Sequence, residues 1–429
     1  MKKTILFFLL IIFTFTLNAQ NFWEKLESPT ANRLTSVVFT DSLNGWVAGD
    51  SAIILHTSDG GENWETQFYN DSLNIVNLCF LNDQYGFASA VSNLYEPFGS
   101  FLLRTTDGGA NWAAEYMRIG ELFINYVYFL DSLNGFTAGY PGFFMRTSDG
   151  GENWRPVTRD SSIFAGYPPY KIKFYNENYG YACGGVRDVT GVIWRTTDSG
   201  FSWDTVVDTS SAPPEPLFAI QILDSLNILV MGGDPEYGAS TLRTTDAGNF
   251  WEYNTLGILW YPVEVGFRTA SEGWAPMGPK LGFLFTTDSG ENWSLLPTPD
   301  SAYVTNINFP DSSHGYAVGI DGTILKYTYQ KPNEVITNVS KTNSLQLAQN
   351  YPNPFNPVTN ISYHISSAGL VSIKVYNILG RQIAVLANEY KPEGSYTVEF
   401  DGSNLPSGVY LCRMKAGEYT AVRKMLLIK

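Results

Sequence analysis

The chain has 429 residues, a formal charge of −14, 15% aromatic and only 16% charged side chains. So few charges among so many aromatics, with 39 Gly and 22 Pro, suit a β-rich globular protein with Gly and Pro in its turns. The acidic balance works against phosphate backbones, so no nucleic-acid partner is expected.

Residues 1–19 read as a signal peptide: Lys2 and Lys3, an apolar run from Ile5 to Leu17, and Leu17-Asn18-Ala19 before Gln20. The apolar core is too short to favour a membrane span, and no Cys follows it to carry a lipid. No later stretch is long and apolar enough to cross a bilayer, so no transmembrane span is expected.

Thr57-Ser58-Asp59-Gly60-Gly61-Glu62-Asn63-Trp64 then sets a skeleton, Thr-x-Asp-x-Gly-x-x-Trp. It returns five times, ending at Trp112, Trp154, Trp203, Trp251 and Trp293. The Trp-to-Trp steps are 48, 42, 49, 48 and 42 residues, the period of a four-stranded propeller blade. In each box the Asp can accept backbone N–H groups, the Gly tolerates positive φ, and the Trp opens the outgoing strand over apolar surface. That gives structural roles to Asp59 and Trp64, Asp107 and Trp112, Asp149 and Trp154, Asp198 and Trp203, Asp246 and Trp251, and Asp288 and Trp293.

A second strand of aromatic-then-Gly character recurs seven times, from Gly45-Trp46-Val47-Ala48-Gly49 to Gly315-Tyr316-Ala317-Val318-Gly319, against six boxes. Phe22-Trp23-Glu24-Lys25-Leu26 resembles the strand after each box and can complete the seventh unit. The expected fold is all-β: a seven-bladed β-propeller over 20–329, closed by its N-terminal strand. It holds 15 Lys and Arg against 35 Asp and Glu, a net of −20.

With strands A to D in each blade, A–B turns and boxes share one face, and B–C and D–A connections share the other. Insertions at Ser92–Ser100, Val186–Val192 and Asp234–Ser240, with long D–A connections at Arg155–Tyr170 and Asp208–Leu217, make the second face variable. Its candidate contacts are Tyr95, Phe98, Phe164, Tyr167, Tyr170, Arg187 and Tyr237.

Residues 330–344 are polar and read as a linker. From 345 to 429, alternating runs at Thr359–Ile365, Val371–Tyr376, Ser395–Phe400, Gly408–Met414 and Tyr419–Leu427 predict a small immunoglobulin-like β-sandwich.

Asn350-Tyr351-Pro352-Asn353-Pro354-Phe355-Asn356-Pro357, Val375-Tyr376-Asn377-Ile378-Leu379-Gly380, Leu405-Pro406-Ser407-Gly408-Val409-Tyr410 and the terminal Lys424-Met425-Leu426-Leu427-Ile428-Lys429 stand in order. This segment resembles the type A C-terminal sorting domain of the type IX secretion system of Bacteroidetes. The resemblance marks Gly380, Gly408, Tyr410, Lys424 and Lys429 as sorting-motif residues. It implies export by that machinery, removal of the domain by its sortase, and release or surface attachment. The box resembles the Asp-box, or bacterial neuraminidase repeat. The full repeat is similar to the photosystem II stability/assembly factor family of seven-bladed propellers, which implies the scaffold and a protein-binding role.

Cys79, Cys183 and Cys412 read as buried small side chains, and the spacings of Cys and of His56, His314 and His364 suggest neither a metal nor a nucleophilic triad. No cofactor is expected, and the protein is expected to be a monomer. A sialidase would need converging arginines. Arg104, Arg146, Arg195 and Arg243 instead stand one residue before successive boxes, a periodic placement that suits structural ion pairs, with a ring shared between blades still open. A glycan hydrolase would need two facing loop carboxylates, for which Glu96, Asp188, Asp234 and Glu236 are available. The expected function is a secreted or cell-surface binding module for a protein or glycan; a glycoside hydrolase or sialidase-like enzyme is the alternative.

Overall fold

The structure, a computed structural model, describes residues 22–328 except 93–95, 118–122, 141 and 208–212. From 346 to 427 it describes all but 348–349, 351–352, 354, 366–367, 378–380, 393 and 418. The signal segment, the linker, Tyr95, Gly380 and Lys429 lie outside the described residues. The chain forms two compact units, Met1–Gln330 and Lys331–Lys429.

The described residues of 23–328 fold into seven sheets taken up in chain order, antiparallel but for one added edge strand. The seventh completes its four strands with Trp23–Lys25, which pairs along Ile324–Thr328 with Trp23 opposite Tyr327. Trp23 is 2% exposed and stacks on Phe283 of the sixth sheet at 4.9 Å. The innermost strands, which wall the channel, are Leu34–Phe39, Asn74–Phe80, Phe123–Phe129, Pro169–Phe174, Leu217–Ile222, Gly266–Phe267 and Val304–Asn308.

The aromatic-Gly signature has a packing cause. A Cβ built on Gly45, Gly86, Gly135, Gly180, Gly273 or Gly315 would lie 2.3–2.8 Å from the ring of Phe39, Phe80, Phe129, Phe174, Phe267 or Phe309, on the adjacent inner strand. The same rings bridge blades: Phe39 stacks on Tyr316 at 3.5 Å, Phe80 on Trp46 at 3.8 Å and Phe129 on Phe87 at 3.5 Å. The box tryptophans close on them from the other side, edge to face, as Trp64 does on Phe39 at 6.1 Å and 90°. The fifth blade confirms the logic by exception, with Ile228 in place of the Gly and Ile222 in place of the Phe.

Two parts of the variable face differ from expectation. The insertions at 186–192 and 234–240 are taut hairpins, Gly180–Val186 with Thr190–Thr196 and Ile228–Asp234 with Gly238–Thr244, because the strands simply run on. The connection after Arg155 does not stay on that face. Thr158–Arg159 pairs in parallel with Ser202–Thr205 and adds a fifth strand to the outer edge of the fourth blade.

In the second unit, a three-stranded sheet (Gln346–Leu347, Val358–Ile365, Gly394–Asp401) and a four-stranded one (Gln382–Lys391, Gly369–Asn377, Gly408–Ala416, Tyr419–Leu427) share a core that includes Phe355, Ile361, Ile373 and Met425. Gln382–Lys391 was not expected. It is an edge strand with a single buried side chain, whose pairing is interrupted by two register shifts, so it lacks a clean alternation.

Candidate binding face and channel

The box turns behave as structural clasps. Thr57 Oγ1 donates to Asp59 Oδ1 at 2.8 Å and accepts from Gly61 N at 2.9 Å, while Asp59 Oδ1 accepts from Asn63 N at 2.9 Å. Those bonds, led by the one from the Asn63 side chain, hold the Asp59 carboxyl down at about 2. The other boxes repeat the pattern at Asp107, Asp149, Asp198, Asp246 and Asp288. The arginines before the boxes strap each blade to the next one's turn. Arg104 Nη1 donates to Gly150 O at 3.1 Å, Arg195 Nη1 to Ala247 O at 3.0 Å, Arg146 lies 3.4 Å over the Phe201 ring, and Arg243 reaches Glu291 at 3.8 Å. They are spread around the ring and bind no common point.

Register places two residues of each inner strand toward the channel. The upper positions are Ser36, Asn77, Tyr126, Lys171, Ala219, Glu264 and Asn306; the lower are Val38, Cys79, Tyr128, Lys173, Gln221, Gly266 and Asn308. All of them but Ala219, Gln221 and Gly266 line a cavity of about 230 Å³. On one arc these side chains tie neighbouring blades together. Asn306 Oδ1 accepts from Val37 N at 3.2 Å, Asn308 Oδ1 from Phe39 N at 3.0 Å, Ser36 Oγ from Leu78 N at 3.0 Å and Asn77 Oδ1 from Val127 N at 2.8 Å.

The opposite arc is charged. Lys171 Nζ reaches Glu264 Oε2 at 2.8 Å, passing over Ala219 of the intervening blade, and sits 4.7 Å above the Tyr126 ring. Burial pushes the Glu264 carboxyl up, but Lys171 and Lys173 outweigh it and hold it below its ordinary value. Lys173 Nζ donates to Gln221 Oε1 at 3.2 Å, and burial lowers its pKa. Burial also raises the Cys79 thiol to about 11, so it is neutral.

At the mouth of this channel on the variable face, aromatic rings stack in a ladder. Tyr170 lies 5.3 Å from Phe218, Phe218 4.7 Å from Tyr261, and Tyr261 5.5 Å from Trp260, with interplanar angles of 23°, 25° and 8°. Tyr170 and Phe218 occupy the same bulged position of adjacent inner strands, where the pairing skips one residue. A bulge re-aims its side chain, and here it turns both rings toward one another. Arg187 Nη2 comes within 3.4 Å of Tyr261 Oη, and Tyr140 stands 62% exposed at the end of its strand. Burial raises the Tyr170 hydroxyl, with Tyr140 adding to the effect. Trp260 has φ +84°, a left-handed backbone that costs a β-carbon residue of order 1–3 kcal/mol.

Of the sequence candidates, Tyr170 and Arg187 meet in this ladder. Phe98 and Tyr237 are 51% and 69% exposed, and no described ring contact joins either to it. Phe164 is a correction: it is 7% exposed and belongs to the hydrophobic core with Trp203, with Tyr167 packed 6.0 Å away, because the connection folds down onto the blade. Tyr140, Phe218, Trp260 and Tyr261 were missed. Among the loop carboxylates, Asp234 is buried and accepts from Glu236 N and Tyr237 N, which fixes its own turn. No group of three or more metal-ligating side chains occurs among the described residues, and no described helix is long and apolar enough to cross a membrane.

In the second unit the proline-rich motif holds the terminal strand. Asn353 Oδ1 accepts from Leu426 N at 2.7 Å, its Nδ2 donates to the exposed Lys424's carbonyl at 3.4 Å, and Phe355 N donates to Leu426 O at 2.9 Å. Tyr410, 4% exposed, donates its hydroxyl to Pro406 O at 2.8 Å, bracing the turn before Gly408.

Residues 349–429 match the family described as secretion system C-terminal sorting domain, and residues 16–82 and 70–214 match photosynthesis system II assembly factor YCF48. The chain joins a Ycf48-like propeller to a sorting domain. Photosystem II assembly protein Ycf48 of Synechococcus sp. (strain JA-2-3B'a(2-13)) is 38% identical over 47 residues, 10% of this chain and 14% of that protein. The Ycf48 lipoprotein of Nostoc sp. (strain PCC 7120) is 34% identical over 70 residues, 16% and 18%. These matches thus span less than a fifth of the curated relatives. The solved YCF48 bound to D1 peptide aligns over 71% of this chain and 96% of its own, at TM-score 0.55 and 21% identity. YCF48 from Cyanidioschyzon merolae aligns over 72% and 98%, at 0.56 and 21%. The Ycf48-like propeller is therefore exported by the type IX system to the cell surface or beyond it.

Proposed function

We propose that the mature chain is an extracellular, non-enzymatic binding propeller that takes an extended protein segment across Tyr170, Phe218 and Tyr261, with Arg187 and Tyr140 at the rim. The carrying observation is the ladder itself: three stacked rings from successive parts of the ring, on the face whose hairpins vary most. Flat, pre-packed aromatics give contact area at little entropic cost, and an adjacent guanidinium adds direction. The strained Trp260 beside them is the kind of residue a binding site retains. A YCF48 propeller bound to a D1 peptide supports a peptide as the ligand class. The hydrolase alternative gains nothing from Asp234, whose carboxylate is committed to its turn. We further place residues 20–329 as the working monomer, freed from 345–429 by the system's sortase.

The test is a peptide-display selection on the purified chain from Gln20 onward, run beside a glycan array read for products by mass spectrometry. Selected peptides should lose at least about tenfold in affinity to a Tyr170→Ala/Tyr261→Ala variant. Sugar products, or peptides indifferent to that variant, would refute the reading.

A further inference from the structure

We propose that the central channel binds one carboxylate group, gripped by Lys173 and by the amides of Asn306 and Asn308 across the ring. The inference is independent of what lies on the ladder. Its first support is charge. The ionised groups lining the cavity are Lys171, Lys173 and Glu264, so one positive charge is left over inside a domain whose own net is −20. Two of the propeller's five lysines stand here, and burial works against the charge of Lys173.

The second support is unspent hydrogen bonding. A lysine ammonium has three donors and no acceptor. Lys173 gives one to Gln221, and nothing else among the described residues takes the others. Asn306 and Asn308 must turn Oδ1 to the backbone N–H groups of Val37 and Phe39, which fixes Nδ2 as the arm shown to the cavity. No described protein acceptor meets either Nδ2. Unspent donors therefore line the one cavity from two blades, and the one carboxylate on the wall is already matched by Lys171.

The third support is that ring closure does not explain the lysines. At the equivalent positions Ser36, Asn77, Asn306 and Asn308 serve as acceptors for the next blade, which a lysine cannot do. A monoanion matches the single uncompensated charge, whereas a dianion would leave one of its own unmatched. The cavity of about 230 Å³ falls below the usual range for a drug-sized ligand, so it suits a small organic acid or the acidic end of a longer ligand.

The experiment is calorimetric titration of the mature chain with acetate and pyruvate at constant ionic strength against chloride. Two hexapeptides, one ending in a free carboxylate and one in an amide, are titrated in parallel. Saturable binding of the acids, weakened at least tenfold by Lys173→Met, is expected. A free-carboxylate peptide binding more tightly than acetate, with its amide silent, would assign the group to a chain end; equal affinities would assign it to a free acid. Acetate should also slow reductive methylation of Lys173, read by mass spectrometry, while exposed Lys280 is unaffected, and this holds the test open if the variant misfolds. Absence of saturable heat together with unprotected Lys173, or undiminished binding in Lys173→Met, would overturn the proposal.

Discussion

Blades 7, 1 and 2 and blades 4 to 6 face one channel with the same strand register, and they furnish it in opposite ways. The first arc uses Asn306, Asn308, Ser36 and Asn77 as acceptors that fasten each inner strand to the next. The second puts Lys171, Lys173 and Glu264 at the matching positions and lets one ion pair span an intervening blade. An inner strand has an exposed edge of backbone donors, and the first arc shows the economical way to satisfy it. The second arc forgoes that device for charges that are costly to desolvate. The difference separates a surface shaped by folding from one shaped by what it meets.

The largest effect should come from breaking the first arc at its seam. Deleting residues 20–28 removes the strand paired to Ile324–Thr328 and the buried Trp23, on the blade that supplies Asn306 and Asn308. A loss above about 4 kcal/mol is expected in denaturant unfolding of the propeller. Next comes Asn77→Leu. Asn77 accepts from Val127 N and Ser89 Oγ and donates to Leu78 O and Val127 O, so the variant orphans buried groups and should cost about 2–4 kcal/mol.

Glu264→Gln should cost less, about 1–3 kcal/mol, since the amide keeps a hydrogen bond to Lys171. Its deficit should also depend on pH. The Glu264 carboxyl is held low in the folded chain, so the unfolded chain takes up the proton first as pH falls. Its stabilisation is complete above the unfolded value, about 4.3, and is lost as pH falls through the folded one. The gap between parent and variant should therefore narrow from about pH 5 toward pH 3, while the Asn77→Leu gap stays constant. Melting curves across that range check both, and a widening Glu264 gap would contradict the assigned pairing.

Much of the repeat's logic was legible in the chain, and neither arc of the channel was. Thr, Asp, Gly and Trp recur at fixed spacing because each box needs the same clasp, and the count of seven second strands against six boxes pointed to Phe22–Leu26 for the missing outer strand. The aromatic-Gly strand was visible without its reason, which is the Phe ring lying over the Gly. The ladder was hidden because Tyr170 and Phe218 owe their direction to a bulge, and Trp260 and Tyr261 come from a connection with no repeat to align it. Phe164 was misread for the same reason: a long connection looks exposed until it is seen to fold onto the core. Lys171 and Glu264 are 93 residues apart and pair across a skipped blade, which no local pattern encodes.

The smallest effect is the sharpest discriminator between the arcs. If Lys173 serves folding as Asn77 does, Lys173→Met should cost as much as Asn77→Leu. If its charge is kept for a ligand, methionine of similar length relieves a desolvated ammonium and gives up one hydrogen bond, to Gln221. The two terms oppose, and stability in ligand-free buffer should move by no more than about 1 kcal/mol in either direction. Adding a saturating carboxylate should then stabilise the parent and leave the variant where it was, because only a native state that binds ligand gains from it. A variant that loses several kcal/mol without ligand would place Lys173 among the structural residues and reduce the difference between the arcs to two styles of closure.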